Sequence, residues 1–170
     1  MRGAVLLGLL ALVPLPLPAQ YRSGSGGTWL DLGLGGGNTG LNGLLAITRR
    51  SGIHGLTVRG MAAAQIRLVL FKKQDTRSFG DLGLMYGVHG HSGGTLFAAR
   101  AGLGAVWYHL ESSDSGRSTR VSAEFGVPWE LAVTRIFGNN VGLGVRLAGN
   151  ANRFHNNIAG LLVLHIGDAW

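Results

Sequence analysis

Two groups of residues in this chain are of types that could do chemistry. One is a set of isolated charges embedded in apolar stretches: Asp31, Arg59, Arg67, Arg100, Glu124, Glu130 and Arg146. The other is the run His89-Gly90-His91-Ser92-Gly93-Gly94, which brings two imidazoles and a hydroxyl together. A histidine and a serine can attack an acyl carbon only when a carboxylate orients the imidazole, and no acid lies near this run in sequence. A structural metal site wants four ligands, and there is no cysteine to supplement the two histidines. The run is expected to be a glycine-rich turn with solvated histidines, without catalysis, metal or cofactor.

What the isolated charges can do depends on the elements that hold them. The dominant pattern is period two, which sends alternate residues to opposite faces of a strand. From Val121 to Thr134, the residues Val121, Ala123, Phe125, Val127, Trp129, Leu131 and Val133 form an apolar face, and Glu124 and Glu130 lie on the other. The same split recurs over Val141 to Ala148, over Asp81 to His89 and at Trp29 to Leu34. Eight strands are predicted: Thr28 to Gly35, Leu41 to Arg49, His54 to Leu70, Asp81 to His89, Thr95 to Leu110, Val121 to Ile136, Val141 to Ala148 and Ile158 to Trp170. Their connections alternate. Those over Gly36 to Gly40, Phe71 to Gly80, Glu111 to Arg120 and Gly149 to Asn157 are mostly long and polar. Those over Arg50 to Ile53, Gly90 to Gly94 and Phe137 to Asn140 are tight, with Gly and Asn that tolerate positive φ.

The first residues predict export. Arg2 precedes an apolar run from Ala4 to Val13 and a proline-spaced stretch ending at Ala19-Gln20, the layout of a cleavable signal peptide over residues 1–19. Residues 20–170 then form one domain. No stretch reaches the ~20 apolar residues of a membrane-spanning helix, so a membrane would have to be crossed by strands. The absence of cysteine excludes a disulfide framework and a lipoprotein anchor. Charged residues make up 14% of the chain and glycine contributes 30 residues, against ~25% charged and ~7% Gly in average soluble domains. The net charge of +7 is scattered rather than gathered into a tract, which argues against nucleic acid as a partner.

An even number of strands, an apolar face on each, and the alternation of long and tight connections together resemble the small outer-membrane β-barrel proteins typified by the OmpA transmembrane domain and OmpX. The most specific stretch is the last hairpin, Val141 to Trp170, where Leu162, Leu164 and Ile166 alternate ahead of the terminal aromatic Trp170. These four resemble the signal read by the barrel assembly machinery, with Asp168 standing where that signal carries an apolar residue. The resemblance implies an all-β, eight-stranded antiparallel up-and-down transmembrane barrel in the bacterial outer membrane, with tight turns in the periplasm. It covers the whole chain after the signal.

Within such a barrel the polar faces look inward. Folding the hairpins about their connections puts Glu130 level with Arg100 and Arg146, which predicts an Arg-Glu-Arg bridge, with Asp31 and Glu124 as further lumenal charges. An eight-stranded lumen has room only for its own side chains, so this network is expected to be a structural plug. Lys72, Lys73, Arg77, Arg117, Arg120 and Arg153 fall in the outer connections, where they are solvated or pair with lipopolysaccharide phosphates. Trp107, Phe71, Phe79 and Phe154 are placed in an outer aromatic girdle, and Phe97, Phe137 and Trp170 in a periplasmic one. The expected role is structural or surface-interactive, as a monomer, through outer-membrane lipids and without catalysis. Two rivals are weighed. One is a soluble lipocalin- or avidin-like barrel binding an apolar ligand, suggested by Gly27-Thr28-Trp29. The other is a lipid-modifying enzyme, for which the sequence offers no converging His, Ser and carboxylate.

Overall fold

The computed structural model describes residues 26–65, 76–111, 118–138, 140–153 and 156–168. They form β1 (Thr28–Gly37), β2 (Gly40–Ser51), β3 (His54–Ala64), β4 (Thr76–Ser92), β5 (Thr95–Glu111), β6 (Ser118–Phe137), β7 (Val141–Asn152) and β8 (Asn157–Gly167). Each strand pairs antiparallel with its sequence neighbours, and β1 pairs with β8 from Trp29↔Gly167 to Gly37↔Ala159. The result is a closed up-and-down barrel, in which no strand edge is left unpaired.

Period two sorts the side chains as the sequence predicts, but the apolar face points out. Leu45, Ile47, Val58, Leu84, Leu103, Leu131, Leu143 and Leu162 all stand on the exterior, Leu162 being 73% exposed. Inside, Trp29, Leu96 and Ile136 close the end nearest the chain termini. A second apolar cluster of Leu44, Met61, Phe79, Val106, Leu161 and Val163 with small alanines fills the other half. Between and beside them lie buried charges.

Several boundaries move. β4 runs through Ser92 because Gly93-Gly94 makes a two-residue hairpin turn, with φ of 54° and 80° that only glycine adopts cheaply. His89 therefore lies within a strand, not in a solvated turn, and is 4% exposed. The first connection, expected to be long, is a tight turn at Asn38-Thr39 closed by the Gly37↔Gly40 pair. β6 starts at Ser118, so Arg120 belongs to a strand and not to a loop. Arg77 likewise sits in β4, where it is exposed. The alternation expected through Val121 to Thr134 is broken by a bulge. The β5–β6 register shifts between Val106 and Tyr108, Ala123 takes φ 55°, and Val121 falls opposite Tyr108. Phe79 points into the lumen rather than joining the outer girdle, whereas Trp107, Phe97 and Phe137 are on the exterior. Lys72, Lys73, Arg67, Arg117, Phe71, Phe154 and Trp170 lie outside the described residues.

Candidate functional site in the barrel lumen

Asp31 is the hub of the lumenal charges. Its position on β1 faces inward because Leu30 and Leu32 claim the other face. Asp31 Oδ2 accepts from Arg146 Nη2 at 2.5 Å and from Trp29 Nε1 at 3.1 Å, while Oδ1 lies 2.9 Å from His165 Nδ1. Arg100 Nη1 is 3.8 Å from the same carboxylate. Arg100 also donates to Glu130 Oε1, and Arg146 Nη1 donates to Glu130 Oε2 at 3.3 Å. The predicted Arg100-Glu130-Arg146 bridge thus exists, and Asp31 closes it into a ring of two cations and two anions drawn from β1, β5, β6 and β7. All four are at most 4% exposed.

Aromatic and histidine side chains brace the ring. Arg100 Nε donates to His89 Nε2 at 3.0 Å, which makes that nitrogen an acceptor. The Trp29 ring meets His89 edge-on at 5.5 Å, packs on His165 at 5.3 Å and lies under the Arg100 guanidinium at 5.8 Å. Space for His89 comes from Gly55 on β3, where a Cβ would overlap the imidazole.

A second charged pair joins the neighbouring strands β3 and β4, and its arginine reaches across the lumen to β6 and β7. Arg59 Nη2 binds Asp81 Oδ2 at 2.7 Å and the Gly149 carbonyl at 3.2 Å, while Nη1 reaches the Trp129 carbonyl at 3.2 Å. Asn150 adds a 3.2 Å hydrogen bond to Asp81. Further along, Asn157 Nδ2 donates to Asn42 Oδ1 at 3.0 Å, linking β8 to β2 across β1. The three arginines and the three carboxylates Asp31, Asp81 and Glu130 cancel. Each ion withdrawn from water would otherwise cost several kcal/mol, so pairing is the condition for packing them at all. Both carboxylates of the ring are occupied by arginine, and among the described residues no hydroxyl contacts either histidine. The arrangement ties strands together across the lumen.

Of the charges predicted to be lumenal, Asp31, Arg100, Glu130 and Arg146 are brought together. Glu124 is not: it sits half-buried beside the bulge, apart from the network. Asp81, His89, His165 and Trp29 belong to the site without having been singled out for it. Their alternation was available, since Asp81 shares a face with Gly83 and Met85, and His165 opposes Leu164 and Ile166. Leu162, Leu164 and Ile166 are exposed on the exterior of β8.

A closed barrel with an apolar exterior and a charged, packed interior is the inside-out arrangement of a transmembrane β-barrel, and it disposes of the soluble lipocalin-like rival, which needs a polar outside. No protein-family profile and no curated protein sequence matches the chain. Solved structures do. The N-terminal β-barrel domain of Pseudomonas aeruginosa OprF superposes with a TM-score of 0.59 at 12% identity, covering 84% of this chain and 99% of that one. Neisserial surface protein A superposes with a TM-score of 0.56 at 10% identity, covering 85% and 96%. The fold is shared with these small eight-stranded barrels.

Proposed function

We propose that this protein is an outer-membrane barrel of a bacterial envelope with a structural or surface-interaction role, non-catalytic and non-conducting, acting as a monomer. One observation carries the reading: three arginines and three carboxylates pair inside a lumen closed by apolar side chains, with Arg50 buried at the end nearest the termini, while the exterior is a continuous apolar belt. A lumen spent on its own packing leaves the lipid-facing surface and the outer connections for interaction. Lys72, Lys73 and Arg117 lie in those connections by sequence and Arg153 follows β7. With Arg77 and Arg120 at the adjoining strand ends, they suit the phosphates of lipopolysaccharide. Residues 1–19 act as the export signal. Leu162, Leu164, Ile166 and Trp170 serve recognition by the barrel assembly machinery. The test is fractionation, then gel migration with and without boiling, then planar-bilayer recording. An outer-membrane band that shifts on heating and gives no channel steps is expected. A soluble periplasmic protein, or stable ohmic conductance, would overturn the reading.

A further inference from the structure

The exterior is not uniformly bulky. A furrow of about 900 Å³ runs obliquely around it, from Trp107 near the far end of β5 to Leu143 near the opposite end of β7. Its course follows the paired positions Gly60↔Leu82, Leu45↔Gly60, Leu34↔Gly43 and Leu143↔Leu164. Gly43, Gly60 and Ala62 make the floor, and Leu34, Leu45 and Leu82 the banks. Space above the floor is open, since a Cβ at Gly43 would meet nothing within 4 Å and one at Gly60 only a backbone oxygen at 4.0 Å.

Just beyond the outer end of the furrow, marked by Trp107, the exterior turns polar. Trp107 lies across Gly80 with 48% of its surface exposed, and its indole N–H has no acceptor among the described residues. The next outward-facing pair is Ser78 with His109, since Phe79 and Tyr108 beside them belong to the lumenal cluster. Exposed Arg77 adjoins them at the outer end of β4, on the side of lumenal Phe79, so it meets a headgroup around the rim of the barrel rather than on the exterior face. At the boundary between hydrocarbon and headgroup such donors suit the oxygens of a lipid ester and phosphate. An ester carbonyl lies where an acyl chain meets its headgroup, and a phosphate lies just beyond.

We propose that this furrow seats an acyl chain of one ester-acylated, phosphate-bearing lipid of the outer leaflet, the lipid portion of lipopolysaccharide. Its ester carbonyl meets Trp107, Ser78 and His109, and its phosphate meets Arg77. This rests on the reading that the barrel lies in the outer membrane with its tight turns in the periplasm.

The experiment is native mass spectrometry of detergent-purified full-length protein incubated with rough lipopolysaccharide, its de-O-acylated form, or phosphatidylglycerol. Wild type is expected to retain about one lipopolysaccharide per barrel, and several-fold less of the de-O-acylated form. Filling the furrow with Gly43→Leu and Gly60→Leu, whose side chains enter open space, should cut retention several-fold. Trp107→Phe should reduce it while keeping the ring. Ala101→Leu, on the exterior outside the furrow, should leave it unchanged. Equal retention by wild type and the filled variant overturns the site, and preferential retention of phosphatidylglycerol overturns the choice of lipid. A heat-modifiable band for each variant shows that the barrel is intact. Failure of the membrane reading itself would show separately, as a wild-type protein that stays soluble without detergent.

Discussion

Glu130→Gln is the sharpest probe of the lumenal ring. Glu130 is 1% exposed and accepts from Arg100 through one oxygen and from Arg146 through the other. Glutamine keeps one acceptor oxygen but presents an NH₂ group to the second guanidinium, so one arm becomes donor against donor. The charge balance changes as well: three arginines then face only Asp31 and Asp81, leaving one uncompensated positive charge in a packed interior. Removing one partner of a buried pair costs ~3–5 kcal/mol, which is roughly two to nearly four powers of ten in the folding equilibrium. The assay is urea unfolding of the barrel in lipid bilayers, followed both by tryptophan fluorescence and by the heat-modifiable band. Glu130→Gln combined with Arg100→Gln restores neutrality and should cost less than the sum of the two single changes. A Glu130→Gln variant within ~0.5 kcal/mol of wild type, the range of an ordinary surface change, with an unchanged denaturant slope, would refute the idea that the ring bears on stability.

Three further outcomes follow from the same geometry. Gly55→Val places methyl groups against the His89 ring, which Arg100 and Trp29 hold in place, and should cost ~1–3 kcal/mol as overpacking, read as a lower urea midpoint and an altered near-ultraviolet signal from Trp29. Val58→Arg, at a mid-strand exterior position 52% exposed, should cost ~2–4 kcal/mol if the exterior faces hydrocarbon, and nothing measurable in the same urea titration if it faces water. Arg59→Met alone strands the Asp81 carboxylate and should destabilise by ~3–5 kcal/mol, whereas Arg59→Met with Asp81→Asn should recover most of that loss in a double-mutant cycle.

The fold was largely legible because period two over long segments, such as Phe125 to Val133, has no helical reading, and because both faces had a reason to exist. The Arg100-Glu130-Arg146 bridge was legible too. Arg100↔Glu130 is a direct β5–β6 pair, and Arg146 sits two positions from Ala148, the partner of Glu130 on β7, and so on the same face. What escaped were contacts across the lumen. Alternation says that Asp31, Arg59 and Arg146 face inward, but that Arg59 reaches carbonyls on β6 and β7 and that Asp31 meets Arg146 over the void depends on strand tilt and closure, and these are properties of the whole cylinder. His89 was misplaced for a local reason. The glycines that follow it at 90, 93 and 94 suggested that the turn had begun, whereas the reversal happens at Gly93-Gly94. Glu124 keeps the register and the face of Glu130, opposite lumenal Val106, but it lies six residues further along β6 and so stays apart from the ring.

The placement of Asp31 on the first strand has a consequence for how the chain assembles. Its charged partners lie on β5, β7 and β8, so a barrel lacking its last hairpin would leave Asp31 at the seam with only Trp29 and the more distant Arg100, and Glu130 without Arg146. Such an intermediate has no comfortable place in hydrocarbon. Insertion of the final hairpin supplies Arg146 and His165 in the same event that pairs β1 with β8, so ion pairing and seam closure complete one another. The lumenal ring is in that sense a latch, since the ion pairs of the last hairpin and the β1–β8 seam are made by the same strands.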